Sequence, residues 1–187
     1  MKIALTGAHG TGKSTLANFL KNEFTKRSII ASVTPEVPRL ICEAVNDKEY
    51  FRRGKNSLLK QSLILLGQLI TEEQNQKGVD MQICDRTLFD HWAYSLSLFG
   101  KEISEGNYTE IYESFISQHC KTYDKVFYLP IEFKPLDDGV RESDEKFQLE
   151  IDGLILGLLK KHDINYERIT GNIEGRGNAI LKTLNIQ

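Results

Sequence analysis

At the very start of the chain an apolar run, Lys2 to Thr6, stops and gives way to Gly7-Ala8-His9-Gly10-Thr11-Gly12-Lys13-Ser14. This segment fits G-x-x-x-x-G-K-[ST] at every fixed position, and no other feature of the sequence constrains the fold as tightly. Glycines let the backbone curl until successive N–H groups converge on one set of anionic oxygens, where a Cβ would block the approach. Lys13 adds a mobile positive charge suited to β and γ phosphates, and Ser14 offers a hydroxyl to Mg2+. From Lys13 to about Arg27, the residues Leu16, Phe19, Leu20 and Phe24 recur at helical spacing. A helix therefore starts on the loop and turns its positive end towards the anion. The expected ligand is ATP or GTP with Mg2+, held over Gly7, His9, Gly10, Thr11, Gly12, Lys13, Ser14 and Thr15. A glycine-rich turn that only joins strand to helix is the alternative. His9 occupies a variable position of the motif and reads as a solvated loop residue rather than a catalytic or metal-binding one. Thr15 suits either the adenine side of the site or simple packing.

The remaining pattern alternates strand and helix. Ile29 to Val33 is β-rich and ends at Thr34-Pro35, where the proline removes a ladder donor. Leu58 to about Gln76 reads as a core helix with Leu59, Leu63, Leu66 and Ile70 on one face. Met81 to Cys84 is a third strand, and a helix begins near Thr87. Another helix spans about Tyr108 to His119, followed by a strand from Lys125 to Leu129. Pro130 to Lys146 is the one long polar stretch, expected to be a loop or lid. A helix carrying Phe147, Ile151, Leu154, Ile155, Leu158 and Leu159, a fifth strand from Tyr166 to Thr170 and a helix from Gly175 to Leu184 close the chain. The expected fold is a three-layer α/β/α sandwich around a mainly parallel five-stranded sheet. It forms one domain over 1–187 with a small lid, and ligands bind at the carboxyl ends of the strands.

Those carboxyl ends carry the other candidates. Asp85-Arg86-Thr87 follows the third strand, where a carboxylate can reach the Mg2+ shell or accept a proton from an attacking hydroxyl. Asp85 is thus a candidate catalytic acid and metal ligand beside Ser14, with a helix N-cap as the competing role. Arg86 belongs with the acceptor side. Asp90 falls in the first turn of the next helix and serves either the helix dipole or the substrate. Glu36 and Arg39, just past the second strand, suit a ribose hydroxyl and a phosphate, with a surface ion pair as the alternative. In the polar stretch, Asp137-Asp138-Gly139-Val140-Arg141 presents Arg141 as a candidate arginine finger on a closing lid.

Bulk properties narrow the class. The 187 residues are 40% hydrophobic, enough for one sizeable core. Basic and acidic residues, 24 against 26, nearly cancel, which disfavours nucleic acid and anionic membranes as partners. Cys42, Cys84 and Cys120 lie far apart with no Cys-x-x-Cys pair, as expected of a cytoplasmic protein without disulfides. No signal peptide or membrane span is expected.

The combination of the early GxxGxGKST loop, Glu36-x-x-Arg39, Asp85-Arg86-Thr87 with Asp90 before an aromatic-rich helix, and Asp138-Gly139-x-Arg141 resembles the NadR-like P-loop kinases, often grouped as an AAA-type domain. That resemblance covers nearly the whole chain and implies a small-molecule kinase, with nicotinamide ribosides as the best-known acceptors. It implies phosphate and Mg2+ binding by Lys13 and Ser14, an acid at Asp85 and a lid arginine at Arg141. The nicotinamide-specific enzymes commonly carry extra domains for which 187 residues leave no room. Asp85-Arg86-Thr87 is equally similar to the signature of thymidylate and deoxynucleoside kinases. The leading expectation is an ATP-dependent kinase acting on a nucleoside, nucleotide or ribosyl compound. A nucleotide-hydrolysing switch with a protein partner and a nucleic-acid 5′-end kinase are the alternatives, the latter disfavoured by charge.

Overall fold

The computed structural model describes residues 1–52, 55–132 and 145–186. In chain order the elements are β1 (Lys2–Thr6), α1 (Lys13–Lys26), β2 (Ala31–Thr34), α2 (Val37–Ala44), α3 (Leu58–Asn75) and β3 (Met81–Asp85). Then come α4 (Leu88–Glu105), α5 (Tyr108–Cys120), β4 (Lys125–Tyr128), α6 (Glu145–Lys161), β5 (Glu167–Arg168) and α7 (Ile173–Thr183). The five strands run in the order β2-β3-β1-β4-β5, and every neighbouring pair is parallel. A parallel sheet needs crossovers that cover both faces, and the sequence supplies them as helices between the strands.

Strand alternation divides the core in two. Ile3, Leu5, Ile83 and Phe127 point to one face, where they pack with Leu16, Leu20 and Phe24 of α1 and with Ile180 and Leu181 of α7. Ala4, Cys84 and Val126 point to the other, against α4, α6 and the inner residues of α3 and α5. Both faces of β1 are therefore dry, which fixes its register and puts the end of Thr6 at the centre of the carboxyl edge.

The structure adds to or departs from the expected pattern in three places. Helix α2 is an element between β2 and α3 that the strand and helix pattern of the sequence does not announce; Pro38 sits in its first turn, where its missing N–H costs nothing. In α3, Leu59, Leu63, Leu66 and Ile70 do share a face, but that face is exposed. The buried face carries Leu58, Gln61, Ile64, Leu65, Gln68 and Glu72. The helix is apolar all round, so periodicity finds its stripes without deciding which one is inside. The expected lid lies mostly in 133–144, outside the described residues, and α6 already begins at Glu145. Among the described residues no helix is long and apolar enough to cross a membrane, and Cys42, Cys84 and Cys120 are free thiols.

Candidate active site

The loop between β1 and α1 is held by backbone geometry that only glycine tolerates. Gly7 has φ +140°, and a Cβ there would stand 2.4 Å from the carbonyl oxygen of Leu129. Gly12, at φ +87°, is the N-cap of α1 and leaves the first-turn N–H groups without a side-chain cap. Uncapped N–H groups at a helix start are an anion site. Lys13 is buried and folds back over the loop, its ammonium donating to the carbonyl of Gly7 at 2.7 Å and to the hydroxyl of Thr11 at 3.2 Å. Thr11 in turn donates to the carbonyl of Ala8 at 3.0 Å, so its hydroxyl serves the loop itself.

Ser14 follows Lys13 and donates its hydroxyl to Asp85 Oδ2. Asp85 is the last residue of β3, the strand beside β1, so parallel register brings its carboxylate beside the Ser14 hydroxyl. The helix-cap role proposed for Asp85 belongs to Thr87, whose hydroxyl accepts from the backbone N–H of Asp90. Asp90 needs correction as a substrate-binding residue. It is wholly buried, and its carboxylate accepts from the Thr6 hydroxyl (2.7 Å), the Gly7 N–H (3.0 Å), and the N–H and hydroxyl of Thr87 (2.9 and 2.6 Å). Asp90 closes a capping box on α4 and pins the start of the phosphate loop to it.

Arg86 turns the chain with φ +105° and buries its guanidinium against the Tyr94 ring, 5.7 Å from the centroid. Glu36, one strand over, faces Arg86 Nη2 at 3.5 Å and Arg39 Nη2 at 3.8 Å. Arg39 is mostly exposed, so of that pair only Glu36 is held in the site. Among the described residues Arg86 Nη1 is buried without a hydrogen-bond partner. Burial pulls the Arg86 pKa down, but Tyr94, Glu36 and Asp85 more than reverse this and hold it firmly cationic. Burial, reinforced by the Arg86 charge, pushes the neighbouring His91 down to about 4, leaving it neutral near pH 7.

His9 is not the solvated residue expected of its place in the motif. It is buried, its Nδ1 lies 2.9 Å from the Tyr94 hydroxyl, and its ring is 5.8 Å from that of Phe147. Its carbonyl accepts from Gln148 Nε2 at 2.6 Å, so α4 and α6 both grip the loop. Thr15 is exposed and lines a cleft with Gly12, Leu16, Gly171, Asn172 and Arg176. Arg176, buried in the first turn of α7, escaped the reading of the sequence. Its Nη1 donates to the carbonyl of Thr11 at 2.7 Å, and its Nη2 to Glu132 at 2.6 Å. Glu132 also accepts from the N–H of Gly171 at 2.9 Å, and the Arg176 hydrogen bond holds its carboxyl below the usual range. No local motif announces this clamp, because its members come from α7 and from three loops far apart in sequence. Arg141 lies outside the described residues.

Lys13, Ser14, Asp85, Glu36 and Arg86 thus converge at the carboxyl ends of β1, β3 and β2. Structures with this fold include a deoxyadenosine kinase from M. mycoides with bound dATP, 19% identical with TM-score 0.63 over 99% of this chain and 100% of that one. The NadR protein in complex with NR is 19% identical with TM-score 0.73, and the match covers all of this chain but 52% of NadR, so this chain spans about half its length. Thymidylate kinase from Candida albicans is 18% identical with TM-score 0.67, over 98% and 90% of the two chains. No curated protein sequence matches significantly. The model of the AAA domain family matches residues 2–176, and the chain belongs to that family of P-loop proteins.

Proposed function

We propose that the chain is an ATP-dependent small-molecule kinase. It moves the γ-phosphoryl group to a hydroxyl or phosphate of a nucleoside, nucleotide or ribosyl compound such as nicotinamide riboside. The observation that carries this reading is the charged pair of Glu36 with Arg86, beside the hydrogen-bonded Ser14 and Asp85. A site built only to bind or hydrolyse nucleotide has no need of it. The kinases that share the fold act on deoxyadenosine and thymidylate, and NadR binds NR.

Lys13 and the N–H groups of the loop hold the triphosphate, with the base in the cleft beside Thr15 and Gly171. The hydroxyl of Ser14 and carboxylate of Asp85 are hard oxygen donors already within hydrogen-bond reach, which suits them to Mg2+. That ion, when bound, offsets charge on the β and γ phosphates. Glu36 receives the proton of the acceptor hydroxyl as its oxygen bonds to the γ phosphorus and the bond to the bridging oxygen breaks, releasing ADP. Arg86 Nη1 is the donor left for the acceptor or the transferring group, and Arg141 keeps the finger role proposed from sequence. The test is ADP formation from Mg-ATP with a panel of ribosides and nucleoside monophosphates. Acceptor-dependent ADP supports the reading. Steady ADP release indifferent to every acceptor supports the hydrolysing switch instead.

A further inference from the structure

The phosphate loop is gripped from outside by a buried cation. Arg176 is 3% exposed and sits in the first turn of α7, where its charge opposes the positive end of the helix dipole. Stability alone does not ask for an arginine there, because apolar packing of the same volume often serves a fold as well as a buried ion pair. What the guanidinium holds is the loop. Its Nη1 donates to the carbonyl of Thr11 at 2.7 Å, and its Nη2 donates to Glu132 at 2.6 Å.

That carbonyl belongs to the peptide joining Thr11 to Gly12. The peptide is trans and planar, so the N–H at its other end, that of Gly12, points away from the carbonyl and from Arg176. A Cβ on Gly12 would stand 3.7 Å from Nη1, so the guanidinium lies directly against the loop. The Thr11 hydroxyl is already engaged: it donates to the Ala8 carbonyl at 3.0 Å and accepts from Lys13 at 3.2 Å. Glu132 holds the other side of the fork and also accepts from the Gly171 N–H at 2.9 Å, which ties the guanidinium to the turn between β5 and α7.

We infer that Arg176 is a positioning residue for the phosphoryl donor, aiming the Gly12 N–H at the phosphates while Glu132 fixes the guanidinium; this rests on the reading of the loop as a triphosphate site. Glycine makes an outside hold necessary. Without a Cβ the backbone at Gly12 turns easily, and a peptide plane that can rotate does not present its N–H in one direction. Holding the oxygen from behind sets that direction before the ligand arrives, so binding costs no reorganisation. A cationic donor on the oxygen also polarises the peptide and strengthens the bond its N–H makes to an anion.

Because Arg176 also lines the cleft assigned to the base, the test must separate phosphate from base. Calorimetric titration of the full chain is made with ADP and with inorganic tripolyphosphate, which has no base. Arg176→Ala should raise Kd about tenfold for both ligands. Arg176→Lys keeps a donor for the Thr11 carbonyl without the fork, so it should recover part of that loss; it also carries the test if circular dichroism shows Arg176→Ala unfolded. Glu132→Ala should raise Kd about threefold, and adding it to Arg176→Ala should cost nothing more. In the 15N-labelled wild type the Gly12 amide proton should move downfield on adding tripolyphosphate, and in the Arg176 variants it should move less. A Kd that rises for ADP but not for tripolyphosphate overturns the inference and leaves Arg176 as a wall for the base. Unchanged affinity for both, or an unchanged Gly12 response, overturns it equally. Arg176-dependent binding in a protein that phosphorylates no acceptor would sink the kinase reading and leave this one standing.

Discussion

At the amino ends of the strands, Glu72 is 1% exposed and receives Lys2 Nζ at 2.6 Å, Gln68 Nε2 at 2.8 Å, His119 Nε2 at 2.8 Å and the Tyr123 hydroxyl at 2.9 Å. At the carboxyl ends, Arg86 is 6% exposed, has Glu36 only at 3.5 Å, and keeps Nη1 without a partner among the described residues. Both are buried charges in one polar seam, joined through Gln68, which donates to Glu72 and to the carbonyl of Arg86. Glu72 is fully satisfied by its own chain and ties α3, α5 and β1 together. Arg86 is held in place but not satisfied, as suits a group whose partner arrives from outside. Satisfied charge specifies structure, whereas incompletely satisfied charge is retained where it binds or reacts.

The largest effect should come from breaking the closed end. Glu72→Ala leaves Lys2 and its neighbours buried without a counter-charge and should cost about 3–5 kcal/mol in urea unfolding. The transfer rate of the folded fraction should stay near wild type. A matching loss of turnover under native conditions would show that the two ends are not separable. Lys13→Ala is the converse. It should lower kcat about a hundredfold or more, while its urea midpoint shifts less than that of Glu72→Ala, because Lys13 donates to the loop that carries it and does not tie separate elements together as Glu72 does.

Acid should reveal the difference without mutation. Glu72 sits at about 2 against an ordinary 4.5; burial alone would raise it, but the His119 hydrogen bond and the Lys2 charge win. Its stabilising contribution is complete above pH 4.5 and is lost as pH falls towards 2. His91, at about 4 against 6.5, resists protonation when folded, so the unfolded chain takes up its proton first and stability falls from pH 6.5 to 4. Urea midpoints across pH 7 to 3 should decline in both windows, and His91→Gln should flatten the upper one alone. The smallest effect is Arg86→Lys, which keeps the charge but loses the fork; acceptor KM should rise about tenfold with ATP KM unchanged.

The contrast explains what the sequence could reveal. The phosphate loop was legible because each fixed position answers a local requirement, visible at Gly7 and its clash with Leu129. Asp85 was legible because a strand end beside that loop has one destination. The Glu72 cluster was not, since Lys2, Glu72, His119 and Tyr123 each look like surface residues until topology gathers them. Arg176 and Glu132 were hidden for the same reason. His9 was misread, and Asp90 proved to serve the first turn of its helix rather than the substrate, because their burial depends on α4 and α6 closing over the loop, a tertiary fact that no motif encodes. The exposed stripe of α3 was misassigned because two apolar faces compete on one helix.

The central claim is that the open end joins a phosphoryl donor to an acceptor. Following the label from ATP carrying radioactive γ-phosphate, in the presence of the riboside and monophosphate panel, tests it most directly. The account predicts label on at least one acceptor, abolished by Lys13→Ala. Label recovered only as inorganic phosphate, whatever acceptor is present, would contradict it.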